Sequence, residues 1–413
     1  MQQIDHAAVR HFLRRGLLIL GALMLPLSAS GEETQPAETN PLYIAPAERD
    51  FSENPSLLER ILSGPHGYYR FINIPFSQEV CRRFSDEIPG MPSLNLHGDA
   101  HIEQYAITDL GRGLTDFDDA STGPGMIDIL RFGVSLQLAA RENGWNNKRG
   151  ELLEVFLRGY RSALENPDTT APEPALVQQI RAGFTVDREA YFRWVDEIMT
   201  PAPPEVRDSL IQAMQPYIET KLAEKPSLTE AYFQIVDFGY LHMGIGSALD
   251  LKFLVRIRGA GDAAADDVVL EIKEVRDLSG IDCIDSGREQ DPFRILVGQT
   301  RIAYAPFKHL GYFRFRERNF WVHSWVDNYK EVKIETSFSA REDLQEVAYD
   351  VGVQLGKGHI KHIAYPLDLQ LRREQLRLID SARDQIAAAC DELARLTVDA
   401  WEMFCREAKR KGE

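Results

Sequence analysis

Residues 244–274 read GIGSALDLKFLVRIRGAGDAAADDVVLEIKE. Leu251, Phe253, Val255 and Ile257 recur at every second position, and Val268, Leu270 and Ile272 resume that period after the loop 259–267. An apolar period of two on both sides of a Gly/Asp/Ala turn predicts two paired strands. Gly244, Gly246 and Ser247 precede the first strand, and Lys273 lies on the second. Glycines let backbone N–H groups approach phosphates, and a strand lysine sets an ammonium over them. Singly, hairpin glycines are ordinary turns and a strand lysine an ordinary surface cation. Their order and spacing carry the reading.

Working outward, a helical stretch is predicted at about 292–309. Tyr312, Phe313 and Phe315, then Phe320, Trp321 and Val322 across a turn at Glu317-Arg318-Asn319, predict a second strand pair. The order strand, strand, strand, helix, strand, strand describes a small sheet with one packed helix. Residues 340–362 and 368–410 return to helical spacing, as do Ile127, Leu130, Val134 and Leu138, and Leu153, Phe156, Leu157, Tyr160 and Leu164. Helical pieces at 187–199 and 205–224 form a connector between the two regions. The expected class is α+β with a helical C-terminus. The expected divisions are a leader (1–30), a flexible linker (31–54), a helical lobe (55–235), a small β lobe (236–326) and a helical C-terminal part (327–413).

The turn-rich segment 89–124 holds the other unusual residues: LHGDAHIEQY at 96–105 and TDFDD at 115–119. Asp99 is placed to accept a proton or orient a nucleophile, with His97 and His101 beside it. Asp116 and Asp118 offer hard oxygen ligands to Mg²⁺. The plain alternative is that these groups cap turns around a solvated acidic loop.

The stretch GDAHIEQY … TDFDDASTGPGMIDILR resembles the bacterial family called domain of unknown function 2252, whose pattern reads roughly GDAHxxNF … NDFDE…GP…D…R. The likeness takes in Tyr68-Tyr69-Arg70, Val236-Asp237, Gly244 to Ser247, Glu271 to Glu274, Val297-Gly298-Gln299 and Gly358-His359. GDxH followed by clustered Asp is also similar to the catalytic and metal loops of aminoglycoside phosphotransferases and related kinase-like enzymes. That resemblance makes Asp99 the catalytic-loop Asp, puts Gln104 at the metal-ligand Asn position, and makes Asp116 and Asp118 metal carboxylates. The glycine turn, strand, loop and strand lysine are similar to the nucleotide-binding lobe of protein kinases. Leu249 stands where a third glycine is expected, and the catalytic loops precede the lysine, the reverse of the usual order. The fold implied is a two-lobed protein-kinase-like fold in circular permutation, which a site needing only two facing lobes tolerates. Asp237-Phe238-Gly239 spells a kinase metal motif outside its context and is set aside. Glu289 and Gln299 are candidate partners for Lys273. Arg131 is expected to pair with Asp128 or the Asp118 loop, and Arg70 to reach phosphate or make a structural pair.

With 63 Asp and Glu against 47 Lys and Arg, net −16, the chain lacks the basic field that nucleic-acid binding needs. Part of that charge is the Asp99, Asp116, Asp118 and Asp119 cluster, read as a cation site awaiting its metal. Arg10, Arg14 and Arg15, the apolar run Gly16 to Leu27 and Ser28-Ala29-Ser30 have the grammar of a secretory signal too short to span a bilayer. Export, to the periplasm, with cleavage near Ser30 is expected. An uncleaved membrane anchor is the minority reading. Cys81, Cys283, Cys390 and Cys405 form no CxxC pair, which argues against structural zinc; an oxidising compartment permits a disulfide, with no pairing readable.

The expected function is a kinase-like phosphotransferase, or nucleotidyl transferase, using Mg²⁺ and ATP on an unknown small-molecule or protein acceptor. Lys273 would hold the phosphates against the glycine turn. One alternative is an exported, kinase-shaped ligand-binding protein with weak or no catalysis, since an exported protein meets little ATP. A second is a metal-dependent phosphohydrolase built on His97, His101 and the Asp triplet.

Overall fold

The segment from α1 (Pro55–Leu62) through α2 (Pro65–Phe71) and α3 (Asn73–Arg83) opens on a cap: Asn54 Oδ1 accepts from Leu57 N at 3.2 Å, with Pro55 at the first helical position. The computed structural model describes residues 40–52, 54–245, 250–287 and 290–411; Gly246, Ser247, Leu249, Glu289 and the 1–30 leader lie outside them. Packing begins upstream of the expected start at Pro55. Leu42 and Ile44 are buried, Tyr68 Oη donates to Leu42 O, and Asn40 Nδ2 donates to Leu396 O. Residues 40–52 and 54 are therefore part of the fold rather than of the expected linker, because two apolar side chains suffice to dock a short segment.

Four short strands follow: β1 (Ser93–Leu96), β2 (Tyr105–Thr108), β3 (Arg112–Leu114) and β4 (Ser121–Pro124). β1 pairs antiparallel with β4, and β2 with β3. This nesting sets the loops 97–104 and 115–120 side by side. The chain then enters α4 (Met126–Glu142), α5 (Arg149–Glu165), α6 (Ala175–Ala182), α7 (Arg188–Ile198), the short β5 (Met199–Pro201) and α8 (Pro204–Glu224).

The predicted small sheet comes next. β6 (Ile235–Leu241), β7 (Lys252–Ile257) and β8 (Val268–Glu274) precede α9 (Phe293–Ile302), then β9 (Gly311–Phe315) and β10 (Arg318–Ser324). With β5 they form an antiparallel sheet in the order β5-β6-β7-β8-β10-β9. The last hairpin turns at Arg316 and Glu317, both at positive φ, rather than at 317–319. A two-residue turn of that hand matches the strand twist. β11 (Tyr329–Glu331) returns to pair with β2, and α10 (Arg341–Gly358), α11 (Leu367–Ser381) and α12 (Arg383–Lys411) complete a mixed α+β fold with a helical C-terminus.

The sheet has two faces because alternate side chains point to opposite sides. Phe253, Val255, Ile257, Leu270, Ile272, Phe313 and Phe320 pack against Leu210, Met214 and Tyr217 of α8. Each such buried side chain stabilises by roughly 1.5–3 kcal/mol. On the other face, Leu254 and Val269 meet Tyr191, Phe192 and Val195 of α7, while the same row carries Lys252, Glu271 and Lys273. A separate, larger core joins α2 to α5, α10 and α12. There Gly352 lets α10 touch α5: a Cβ would sit 2.2 Å from Phe156 O.

Candidate functional site

Lys273, on β8, points from the sheet into the acidic loop. Its Nζ donates to Asp116 Oδ1 at 2.7 Å and lies 2.5 Å from Asp118 Oδ2. Trp321, opposite Lys273 on β10, donates Nε1 to Asp118 Oδ1 at 2.9 Å. Gln104 Nε2 donates to Asp116 Oδ2 at 3.3 Å. Asp116 has φ 58°, an uncommon conformation outside glycine, and its side chain is a third exposed, whereas Asp118 and Lys273 are buried. Burial works against the Lys273 ammonium, but Asp116, Asp118 and Glu271 outweigh it and hold it protonated well above the usual lysine range. Lys273 likewise outweighs burial at Asp116 and pulls that carboxyl down. Burial and the Asp116 charge push Asp118 up. One ammonium thus serves two carboxylates.

Asp119 has a different task. Arg276 Nη1 bonds both its oxygens at 2.9 and 3.0 Å, and Asn73 Nδ2 donates to Oδ2 at 2.9 Å. The cations that meet the acidic triplet are therefore the chain's own Lys273 and Arg276. The cluster is neutralised from within rather than left as a bare negative patch.

Asp99 sits at the other loop. Arg131 does not pair with Asp128 or the Asp118 loop as expected; its Nε donates to Asp99 Oδ1 at 2.9 Å and its Nη2 lies 2.8 Å away. The guanidinium stacks 3.7 Å over the Tyr69 ring. Asp128 is occupied otherwise. Its two oxygens accept from His97 N and Gly98 N at 2.7 and 2.8 Å, and His359 Nε2 stands 3.0 Å from Oδ2. Gly98 has φ +81°, and a Cβ there would fall 1.9 Å from Asp119 O, so the loop closes only around glycine. Asp99 Oδ2 has no hydrogen-bond partner among the described residues and lies 3.8 Å from His101 Nε2. Burial raises the Asp99 carboxyl to about 7 against the pull of Arg131, with Asp119 and Asp116 adding to the rise.

His97 Nδ1 accepts from Asp99 N at 3.3 Å, so Nε2 carries the hydrogen and donates to Thr115 O at 2.9 Å. Both ring nitrogens are spent on backbone, which ties the two loops together. His101 is buried and held neutral by that burial, its Nδ1 unpartnered. Arg70 makes a structural pair with Glu103 at 2.7 Å. Gln299 is buried with Nε2 unpartnered, and Lys273 takes Asp116 and Asp118 as partners instead. Asp237 lies on β6, its Oδ1 accepting from Phe238 N.

A cavity of about 420 Å³ opens over this arrangement, lined by Asp116, Gly244, Lys252, Glu271, Lys273 and Trp321 among others; Asp99 and His101 are not among its lining residues. Among the described residues no group of three or more His, Cys, Asp and Glu is disposed to hold a metal ion by itself. The oxygen donors here are those of Asp116 and Asp118 and the Gln104 amide carbonyl; Lys273, Gln104 Nε2 and Trp321 Nε1 already engage the two carboxylates, so a hard cation enters only by sharing them with the Lys273 ammonium or displacing it.

The sequence does not single out Lys252 or Arg276, and it shows Glu271 only within the family likeness, Trp321 only as a strand residue and Asp128 only as a candidate partner of Arg131. Lys252 had a usable signal, since it shares the alternation that placed Lys273. A disulfide joins Cys81 to Cys283, with Cys390 and Cys405 free. No helix among the described residues is long and apolar enough to cross a membrane.

No curated protein and no solved structure matches the chain. The family described as "Uncharacterized protein conserved in bacteria (DUF2252)" matches residues 49–202 and 179–407, and the chain, whose paired acidic loops and strand lysine fall within those spans, belongs to that family.

Proposed function

We propose that the protein is a kinase-like phosphotransferase that moves the terminal phosphoryl group of a nucleoside triphosphate to a hydroxyl acceptor, on a two-lobed kinase-like arrangement in permuted order. The observation that carries the reading is the Lys273 ammonium held between Asp116 and Asp118 at 2.7 and 2.5 Å, at the wall of a cavity that Gly244 also lines. In this reading Lys273 and Gly244 hold the donor phosphates. Asp116 and Asp118, with Gln104, are the residues that would hold magnesium, which when bound neutralises phosphate charge. The acceptor oxygen bonds to the terminal phosphorus, the bond from that phosphorus to the bridging oxygen breaks, and a nucleoside diphosphate leaves. The hydroxyl proton passes to Asp99 Oδ2, the oxygen that Arg131 leaves free, which requires the acceptor to reach beyond the cavity wall, since Asp99 does not line it.

The phosphohydrolase alternative is weakened by His97, whose ring nitrogens are both engaged by backbone. Use of the same cavity for ligand binding without transfer is separated by experiment. The reading of residues 1–30 as an export signal is supported by the Cys81–Cys283 disulfide, which persists in oxidising compartments. Incubation with ATP, magnesium and a panel of hydroxyl compounds, followed by ³¹P NMR, tests transfer. A phosphorylated acceptor formed by the wild type and lost in Asp99→Asn supports it. Phosphoester cleavage that persists in Lys273→Ala overturns it in favour of a hydrolase.

A further inference from the structure

Lys252 stands directly opposite Lys273 across β7 and β8, so both side chains leave the sheet on the same face. Both line the 420 Å³ cavity, and both are more than nine-tenths buried. Their neutralisation differs. Lys273 has two carboxylates within 2.7 Å, whereas the Lys252 ammonium donates to the Met243 carbonyl at 2.6 Å and has no ion-pair partner among the described residues. A buried ammonium whose one direct contact is a carbonyl is costly, a nearby second cation adds to the cost, and the more distant charges of Glu271, Asp118 and Asp116 offset only part of it. Burial first, and Lys273 second, lower the Lys252 ammonium to about 8. Met243 also places this cation next to Gly244 in the chain, which lines the same cavity.

We propose that Lys252 is a second phosphate-binding residue, and that the cavity takes a linear polyphosphate chain spanning the two ammoniums, Lys273 at one phosphate and Lys252 at another. A monophosphate satisfies only one of them. The inference rests on the proposed function in placing phosphates at this cavity, but the polyphosphate chain is its object, whether carried by a nucleoside or free.

Calorimetric titration of the full chain with ATP, inorganic triphosphate and AMP, each with magnesium, tests it on wild type, Lys252→Met and Lys252→Arg. Lys252→Met is expected to weaken ATP and triphosphate about 10- to 100-fold, the value of one to two charge-assisted contacts, and to leave AMP within about threefold. Lys252→Arg, which keeps the charge, retains most of the affinity. The thermal midpoint of ligand-free Lys252→Met at or above that of wild type shows that the variant folds, since an uncompensated buried charge has been removed. Equal affinity of wild type and Lys252→Met for both polyphosphates overturns the inference while leaving the nucleotide reading standing. Binding of triphosphate but not ATP, lost in Lys252→Met, supports the inference and removes the nucleotide reading. Binding of neither probe by wild type overturns both.

Discussion

Lys273 and Asp116, 157 positions apart in the chain, meet at 2.7 Å, and the same ammonium serves Asp118 at 2.5 Å. Removing the cation while keeping its volume leaves two carboxylates in a largely buried place. Lys273→Met is therefore expected to cost about 3–5 kcal/mol in urea unfolding. Millimolar magnesium should restore part of that loss in the variant and do less for wild type. A variant as stable as wild type, or indifferent to magnesium, speaks against the pairing of these groups.

The pH profile of transfer should report Asp99. The base must be deprotonated, so the rate rises with pH, and a carboxyl raised by burial to about 7 places the bend of the acid limb near neutrality instead of in the usual carboxylate range. A kcat/KM that is already flat at pH 5 removes Asp99 from the role of base.

Buried histidines set a second pH dependence. His66 is lowered by burial to about 3, and His101 is lowered well below the ordinary 6.5. Below that ordinary value the unfolded chain takes up a proton that the folded chain refuses. The stability these groups contribute is complete above about 6.5 and lost as pH falls, by about 1.4 kcal/mol per unit for each fully shifted group. Asp99, raised when folded, acts in the opposite direction over the range below 7. The His66→Asn variant isolates the histidine contribution: its urea midpoint should fall less steeply than that of wild type between pH 6.5 and 4.5. Parallel slopes would show that His66 titrates freely.

The Cys81–Cys283 bridge closes a loop of 202 positions, linking α3 to the segment that leads from Arg276 to α9. Reduction is expected to cost about 2–4 kcal/mol by freeing the unfolded chain. The double variant Cys81→Ser, Cys283→Ser should unfold at the midpoint of the reduced wild type and ignore reductant. Reductant-insensitive wild type contradicts the bridge.

Gly98 holds the tightest turn of the site, at φ +81° with its missing Cβ facing Asp119 O at 1.9 Å. Gly98→Ala should lose more than about 2 kcal/mol and most ligand binding together, since the loop has to leave both Asp128 and Asp119. Binding retained at wild-type strength would mean that the loop geometry does not matter to the site.

The small sheet was legible because Leu251, Phe253, Val255 and Ile257, and Val268, Leu270 and Ile272, hold an apolar period of two even though Leu254 and Val269 are apolar on the other face, and the helical regions because their apolar spacing is long and regular. Asp99, Asp116, Asp118 and Lys273 stood out as chemistry-bearing residues in turn or strand contexts. What escaped is non-local. Arg131 sits one helical turn from Asp128 in sequence, yet the fold turns it to Asp99 and gives Asp128 to the backbone of His97 and Gly98. β3 and β11, three residues each, are too short to show a period. The apolar period marks the sheet face that packs on α8, whereas Lys252 stands on the opposite row, the one turned to the cavity. Disulfide pairing depends on where two distant segments meet, here helix α3 and the stretch before α9, which spacing alone does not encode.

The most direct test is thermal unfolding of the full chain with ATP and magnesium, beside Lys273→Met and Asp116→Asn. Ligand that binds only the folded state raises the midpoint by mass action. A rise of several degrees in wild type, largely abolished in both variants, is the expected result. No rise with any nucleotide, or equal rises in all three proteins, contradicts a phosphate-binding cavity built on Lys273 and its two carboxylates.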